Sequence, residues 1–248
     1  MSDRIRGGGR HRFWTLVWQD VRFEVRHGMY TVYAVVCALY VLVLLSLSPA
    51  VREVAAPLLV FSDPAALGFF FVGGMVLLER KQDVLTGLFV TPLDPAEYVA
   101  AKATSLALLS VLAAYAIMLP LYGWAFNWYF LTAGVFFSSV LLTLVSIPFA
   151  MRAETLNEYF LTAGASMAVV IPPVVEYFLE SRNLLFYLFP TQASLVLIAG
   201  ALEPVSPALL LYSHLYLIAS IGAAWWWARR EVTRVVHRQT GGSTWRPA

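Results

Sequence analysis

Residues 103–126 read ATSLALLSVLAAYAIMLPLYGWAF, without a single charged side chain. A helix of roughly 20 apolar residues crosses the hydrocarbon core of a bilayer, so this stretch already points to a membrane protein. Further apolar runs occupy 30–47, 58–78, 130–151, 159–179, 184–202 and 207–228. Only three of them hold an acid or a histidine: Asp63, Glu176 and His214. Composition agrees. Mean hydropathy is +0.71, with 60% apolar and 13% charged residues, whereas soluble domains are about a quarter charged. A chain of 248 residues with so few charges could not cover a soluble surface. Disordered, collagen-like and disulfide-stapled classes are excluded too, since the one cysteine, Cys37, sits inside an apolar run.

Basic residues set the number of crossings. Arg4, Arg6, Arg10, Arg12, Arg22 and Arg26 precede the first run. Arg80, Lys81 and Lys102 follow the second, Arg152 the fourth, and Arg229, Arg230, Arg234, Arg238 and Arg246 the last. Lys and Arg accumulate on the cytoplasmic side of short loops. If 184–202 does not cross, fifteen basic residues lie inside and only Arg52 and Arg182 outside. If it does cross, the five C-terminal arginines move outside. The bias therefore predicts an all-α polytopic protein. It has six transmembrane helices in a single domain over 1–248, both termini cytoplasmic, and a basic tail over 229–248.

The segment 184–202 is apolar, broken at Pro190, and followed by the turn Glu203-Pro204-Val205-Ser206. A re-entrant element fits, because broken backbone at membrane depth is tolerated when packed on protein; an interfacial helix on the outer leaflet is the alternative. Ahead of the first run, Phe13, Trp14, Val17, Trp18, Val21 and Val25 share one face at helical spacing. Arg12, Thr15, Gln19, Arg22 and Arg26 lie off it. This predicts an amphipathic interfacial helix over 11–27 on the inner leaflet, compatible with packing on a partner. Ser46 and Ser48 mimic a cleavage site, but the polar region before the first run is too long and too patterned for a secretory signal.

The link between the second and third runs carries the functional signal. Val84, Leu85, Leu88 and Phe89 form the apolar face of a short helix, and Pro92 stops it. Asp94 is then an N-cap, Pro95 suits the first helical position, and Glu97 stands where a capping box wants it. Apolar groups exposed on a short rigid helix suggest a socket for another protein.

The run Leu78-Glu79-Arg80, Leu85, Leu88, Thr91-Pro92-Leu93, Glu97-Tyr98 and Lys102 resembles the motif that follows span two in ABC-2-type transporter permeases. The six spans, the amphipathic N-terminal helix and the re-entrant segment match as well. Residues 61–71, beginning Phe61-Ser62-Asp63-Pro64, resemble a bacterial subgroup of drug-export permeases. Where that family often has Gly-Thr-Leu-Glu, this chain has Asp83-Val84-Leu85-Thr86.

The resemblance implies a coupling helix over 79–93 that docks on an ATPase, through Glu79, Arg80, Val84, Leu85, Leu88, Phe89 and Pro92. It implies two copies of a separate ABC ATPase subunit, a second permease chain (a copy or a paralogue), and a multi-pass place in the cell inner membrane. ATP and Mg would sit in the ATPase, with no cofactor, metal or catalytic residue in this chain and no nucleic-acid partner. The residues agree in part: neither lysine follows a phosphate-cradling loop, and H-E-x-x-H and G-x-S-x-G are absent.

Isolated polar residues carry competing readings. An acid within a span is a functional hypothesis by default, yet Asp63-Pro64 is also a helix-start pair, and the cap reading comes first. Glu176 follows Pro172-Pro173, which should kink or end the helix; it reads as solvated near the outer water layer, with a pathway role second. His214, beside Tyr212 and Tyr216, reads as hydrogen-bonded packing. All three are pathway or gating positions in the transport reading. The octets opening at Asn127 and Asn157 differ at one position, and asparagine capping plus an interfacial aromatic would favour the same recipe at both helix starts.

These residues leave several functions open. One is the pathway-forming permease of an ATP-driven exporter. Another is a permease of the same architecture for haem-related or lipid cargo. An intramembrane enzyme or a non-transporting scaffold belongs to other classes; the first lacks a cluster of acids or histidines, and the second leaves Leu88 and Phe89 unexplained.

Overall fold

The computed structural model describes residues 3–66, 70–81, 94–166, 170–179 and 185–240. Among the described residues all regular structure is helical: α1 Asp3–Arg26, α2 Met29–Ser46, α3 Pro49–Ala66, α4 Val72–Lys81, α5 Pro95–Tyr122 and α6 Trp128–Arg152. Then follow α7 Leu156–Ser166, α8 Ile171–Leu179, the 3-10 turn Phe186–Leu188, α9 Pro190–Ala199 and α10 Pro207–Thr240. Val84, Leu85, Leu88, Phe89 and Pro92, together with Arg182 and the tail beyond Thr240, lie outside the described residues.

The most buried long helix is α6, and α5, α10, α9, α4 and α3 pack around it. Its inward residues include Leu131, Val135, Leu144 and Ile147, each with no exposed surface. Small residues permit the close approach that packing in lipid needs. A Cβ on Gly134 would stand 2.8 Å from Ile198 Cγ1 of α9. Between α5 and α6, Ser110 donates to Ser139 at 3.0 Å. By contrast α2 buries only Tyr33, Cys37 and Leu44 and exposes Val32, Val35, Leu39, Leu42 and Val43, the pattern of a peripheral helix facing hydrocarbon.

Helix ends follow the residues. Asp94 accepts from Ala96 N at 2.9 Å, and Glu97 reaches back to Asp94 N at 3.4 Å, so the expected capping box starts α5. Asn127 accepts from Tyr129 N and Phe130 N at the start of α6. The second octet departs from that recipe. Helix α7 begins before Asn157, and Thr155 accepts from Glu158 N at 3.2 Å, so Thr155 fills the capping role. Gly28, at φ 73°, allows the sharp turn from α1 into α2. At the other end of α2, Arg52 donates to Leu44 O at 2.8 Å, Leu47 O at 3.1 Å and Leu45 O at 3.2 Å. This basic residue caps orphan carbonyls.

Among the described residues four helices are long and apolar enough to cross a bilayer: Met29–Ser46, Pro95–Tyr122, Trp128–Arg152 and Pro207–Val235. The described residues of the two other runs expected to cross fall in two helices each, on either side of 67–69 and 167–169, which lie outside the described residues. Residues 58–78 divide between α3 and α4, and 159–179 between α7 and α8. In the second run Pro172 and Pro173 fall in the first turn of α8, where missing amide donors are tolerated. Helices α4 and α7 meet where a Cβ on Gly73 of α4 would stand 1.9 Å from Cε1 of Tyr159, a fully buried ring on α7.

The ten residues of α9 span about 15 Å, half of what a crossing requires. Its C-terminal end lies beside the start of α6, where Asn127 N donates to Ala201 O at 2.8 Å. The turn before it lies well along α10, where Tyr216 OH donates to Leu188 O at 2.5 Å. Helix α10 runs on without a break through Thr240, so the first part of the expected basic tail is an extension of that helix.

Candidate functional site

Three helices converge on one buried cation. Lys102, in the second turn of α5, has no exposed surface. Its Nζ donates to Glu79 Oε1 at 2.6 Å and to Asp20 Oδ1 at 3.2 Å, and lies 5.0 Å from the centre of the Tyr98 ring. Tyr98, one turn earlier on the same face, donates through its hydroxyl to Glu79 Oε2 at 2.7 Å. Both carboxylate oxygens of Glu79 are thus engaged. Glu79 stands at the C-terminal end of α4, where the helix dipole disfavours an acid; Lys102 supplies the compensating charge. The cluster ties α4 and α5, which flank the 82–93 segment, to α1.

Helix α1 reaches the cluster on a face of its own. Val17 and Glu24 are buried and Asp20 is half-buried against α5, whereas Trp14, Trp18 and Val25 are exposed. Neither carboxylate oxygen of Glu24 has a hydrogen-bond partner among the described residues. The nearby Ser105 hydroxyl donates instead to Lys102 O at 3.1 Å. Burial, reinforced by the Asp20 charge and only partly offset by the nearby Ser105 and Tyr30 hydroxyls and the Lys102 charge, pushes the Glu24 carboxyl up to about 7. Burial and the Glu79 charge also raise Asp20, against the pull of Lys102.

Further ion pairs lace the same end of the bundle. Arg152 of α6 grips Glu231 of α10 with two bonds of 2.9 Å. Arg234 joins Glu231 at 3.4 Å, Arg229 lies 3.9 Å from Asp94, and Arg12 lies 3.8 Å from Glu97. The Arg229 and Arg12 pairs are largely exposed contacts worth little each.

The structure does not bring Asp63, Glu176 and His214 together. Helix α3 runs through Asp63 and Pro64 to Ala66, so Asp63 caps nothing; it is a buried acid inside a helix. Its Oδ2 has no partner among the described residues, and it lies within electrostatic reach of Tyr33 and Cys37 on α2. Glu176 is not solvated. It is buried and accepts from Gln192 Nε2 of α9 at 2.7 Å, because the α9 segment folds back over it. His214 packs as expected: Nδ1 donates to Leu210 O at 2.8 Å, leaving Nε2 to accept from Tyr129 OH at 3.2 Å.

Glu79, Tyr98 and Lys102 all stand in the motif quoted above. Asp20 and Glu24 do not, and nothing in the apolar pattern of α1 marks them. The available signal was narrower: an i, i+4 acid pair in an arginine-rich helix, and a lysine inside the following apolar helix.

The sequence of residues 11–240 matches the model of the fluoroquinolones export permease protein family. Two fluoroquinolones export permease proteins of Mycobacterium tuberculosis, from strains CDC 1551 / Oshkosh and ATCC 25618 / H37Rv, are each 32% identical to this chain over 171 residues. The alignments cover 68% of this chain and 72% of each relative. The match takes in the amphipathic α1, the Glu79–Lys102 region and all four long apolar helices. This multi-pass membrane chain belongs to the fluoroquinolones export permease protein family.

Proposed function

We propose that the chain is the permease of an ATP-driven exporter of ABC-2 type. It works as a pair around a shared pathway and is driven by two separate ATPase subunits. The Lys102 cluster carries this reading. A segment that docks an ATPase must transmit displacement into the spans on either side, and Glu79 ends one flanking helix while Tyr98 and Lys102 begin the other. Three charged or polar contacts in a buried site make that junction stiff. In this reading both termini are cytoplasmic, α3–α4 and α7–α8 each complete one crossing to make six, and 184–202 is re-entrant.

The name of the relatives supports a fluoroquinolone, a planar amphiphilic drug, as the cargo class. Asp63 and Glu176 are acids within spans and belong to the pathway in this proposal; His214 has both ring nitrogens engaged and serves packing.

The test lies in the 79–93 segment. Phe89→Ala should lower copurification of the ATPase or uncouple hydrolysis from fluoroquinolone, because truncating a docked aromatic costs a few kcal/mol. Leu88→Asp should act more strongly by burying an unpaired carboxylate. Both variants should still insert in the membrane. Normal ATPase ratio and normal drug-stimulated hydrolysis in both would reject the coupling role.

A further inference from the structure

The basic residues at the α1 end of the bundle fall into two sets. Arg12, Lys102, Arg152, Arg229 and Arg234 each have an acid partner, and Arg230 lies 5.1 Å from the Trp226 ring. Among the described arginine and lysine side chains at this end, Arg22, Arg26 and Arg230 have neither an ion pair nor a hydrogen bond, and of these only Arg230 has a ring contact, with Trp226. Arg22 and Arg26 line a hollow of about 420 Å³ with Gln19, Phe23 and His27. His27 Nδ1 donates to Phe23 O at 2.9 Å, which leaves Nε2 free, and its ring lies 3.9 Å from that of Phe23.

Helical geometry assigns three faces to α1. At roughly 100° per residue, Trp14, Trp18 and Val25 fall within about 40° of one another. Val17, Asp20 and Glu24 lie roughly 60–120° to one side, against α5; Gln19, Arg22 and Arg26 lie roughly 80–140° to the other. One face is held by protein and one is apolar and exposed, with tryptophans suited to the wet-dry boundary. The third is cationic. It stands immediately before Met29, where the first long apolar helix begins, which is the depth of lipid phosphates.

We propose that Arg22 and Arg26, with Gln19 and His27, form a binding site for the headgroup phosphate of an anionic phospholipid. Guanidinium groups one turn apart on a helix present paired N–H donors to phosphate oxygens. The apolar face beside them accommodates the acyl chains of the same lipid. The site needs α2 to be a membrane helix but does not depend on the ATPase, so it can fail while the coupling proposal stands, and the converse.

Native mass spectrometry of the detergent-purified full chain tests it, with dioleoylphosphatidylglycerol against dioleoylphosphatidylcholine. A basic residue at an anionic surface contributes about fivefold in affinity. Arg22→Gln/Arg26→Gln should therefore weaken the tightest phosphatidylglycerol site on the order of twentyfold and leave phosphatidylcholine binding unchanged. Arg229→Gln/Arg230→Gln should leave the phosphatidylglycerol site in place. If the first double variant fails to fold, Arg22→Lys/Arg26→Lys keeps the charge and should bind phosphatidylglycerol within a few-fold of the parent. Equal phosphatidylglycerol binding by parent and glutamine variant would overturn the proposal. Loss through Arg229 and Arg230 instead would do the same. Displacement of the lipid by equimolar glycerol 3-phosphate would replace it with a soluble phosphate ligand.

Discussion

A lysine with no exposed surface is rare, and the physics around Lys102 explains its survival. Glu79 and Asp20 return by charge-assisted hydrogen bonds what desolvation takes, and both would be left buried without a counter-charge if the lysine were removed. Lys102→Met should therefore cost about 3–5 kcal/mol, read as a lower thermal midpoint in detergent. Lys102→Met/Glu79→Leu should recover part of it. Glu24 is a different case, because both oxygens are unpartnered among the described residues. Its folded value, about 7, lies above the ordinary 4.5. Between those values the folded chain keeps a proton that the unfolded chain has lost, so stability falls as pH rises through the window and levels above it. Glu24→Gln should flatten that slope and be more stable than the parent at pH 8 by about 2–3 kcal/mol. The check is the difference between the two midpoint-versus-pH curves, which cancels every other titrating group.

At the scale of elements, the apolar runs and their caps were legible because each depends on neighbours in sequence. The Asp94 box, the Asn127 cap and the prolines opening α8 are of this kind. What was not legible depends on partners far along the chain. Asp63-Pro64 looks like a restart, yet α3 carries through it; Glu176 looks solvated, yet Gln192, brought back by α9, covers it. The Lys102 cluster was half legible: its motif residues could be named, but only the fold supplies Asp20. The contact between α4 and α7 is also tertiary. Gly73 lets the Tyr159 ring lie against the α4 backbone, and a methyl group there would overlap the ring. Gly73→Ala should cost about 1–3 kcal/mol through overpacking. Tyr159→Leu in the same chain should restore part of the loss, which a double-mutant cycle on thermal midpoints would measure as a favourable coupling. Additive losses would mean that the ring swings away freely.

For the whole molecule, the uneven placement of charge connects structure to orientation. The end bearing Lys102, Arg152, Arg229 and Arg234 is cross-linked by acids from α1, α4, α5 and α10. At the opposite end, Arg52 is turned back onto the carbonyls of α2. That arginine is thus explained by helix capping, and of the basic residues assigned to the outside only Arg182 then needs another account. The proposal of six crossings with cytoplasmic termini rests on the charge asymmetry of the sequence. Positions 181 and 243 lie outside the described residues, so the topology prediction rests on that asymmetry alone. Cys37, the only native cysteine, is buried, so an introduced thiol can be read against a silent background. Ser181→Cys should react with an impermeant maleimide added to intact cells. Ser243→Cys should react only after the membrane is opened. Labelling of Ser243→Cys from outside would place the C-terminus across the membrane and make 184–202, or one of the pairs α3–α4 and α7–α8, a different kind of element than six crossings allow.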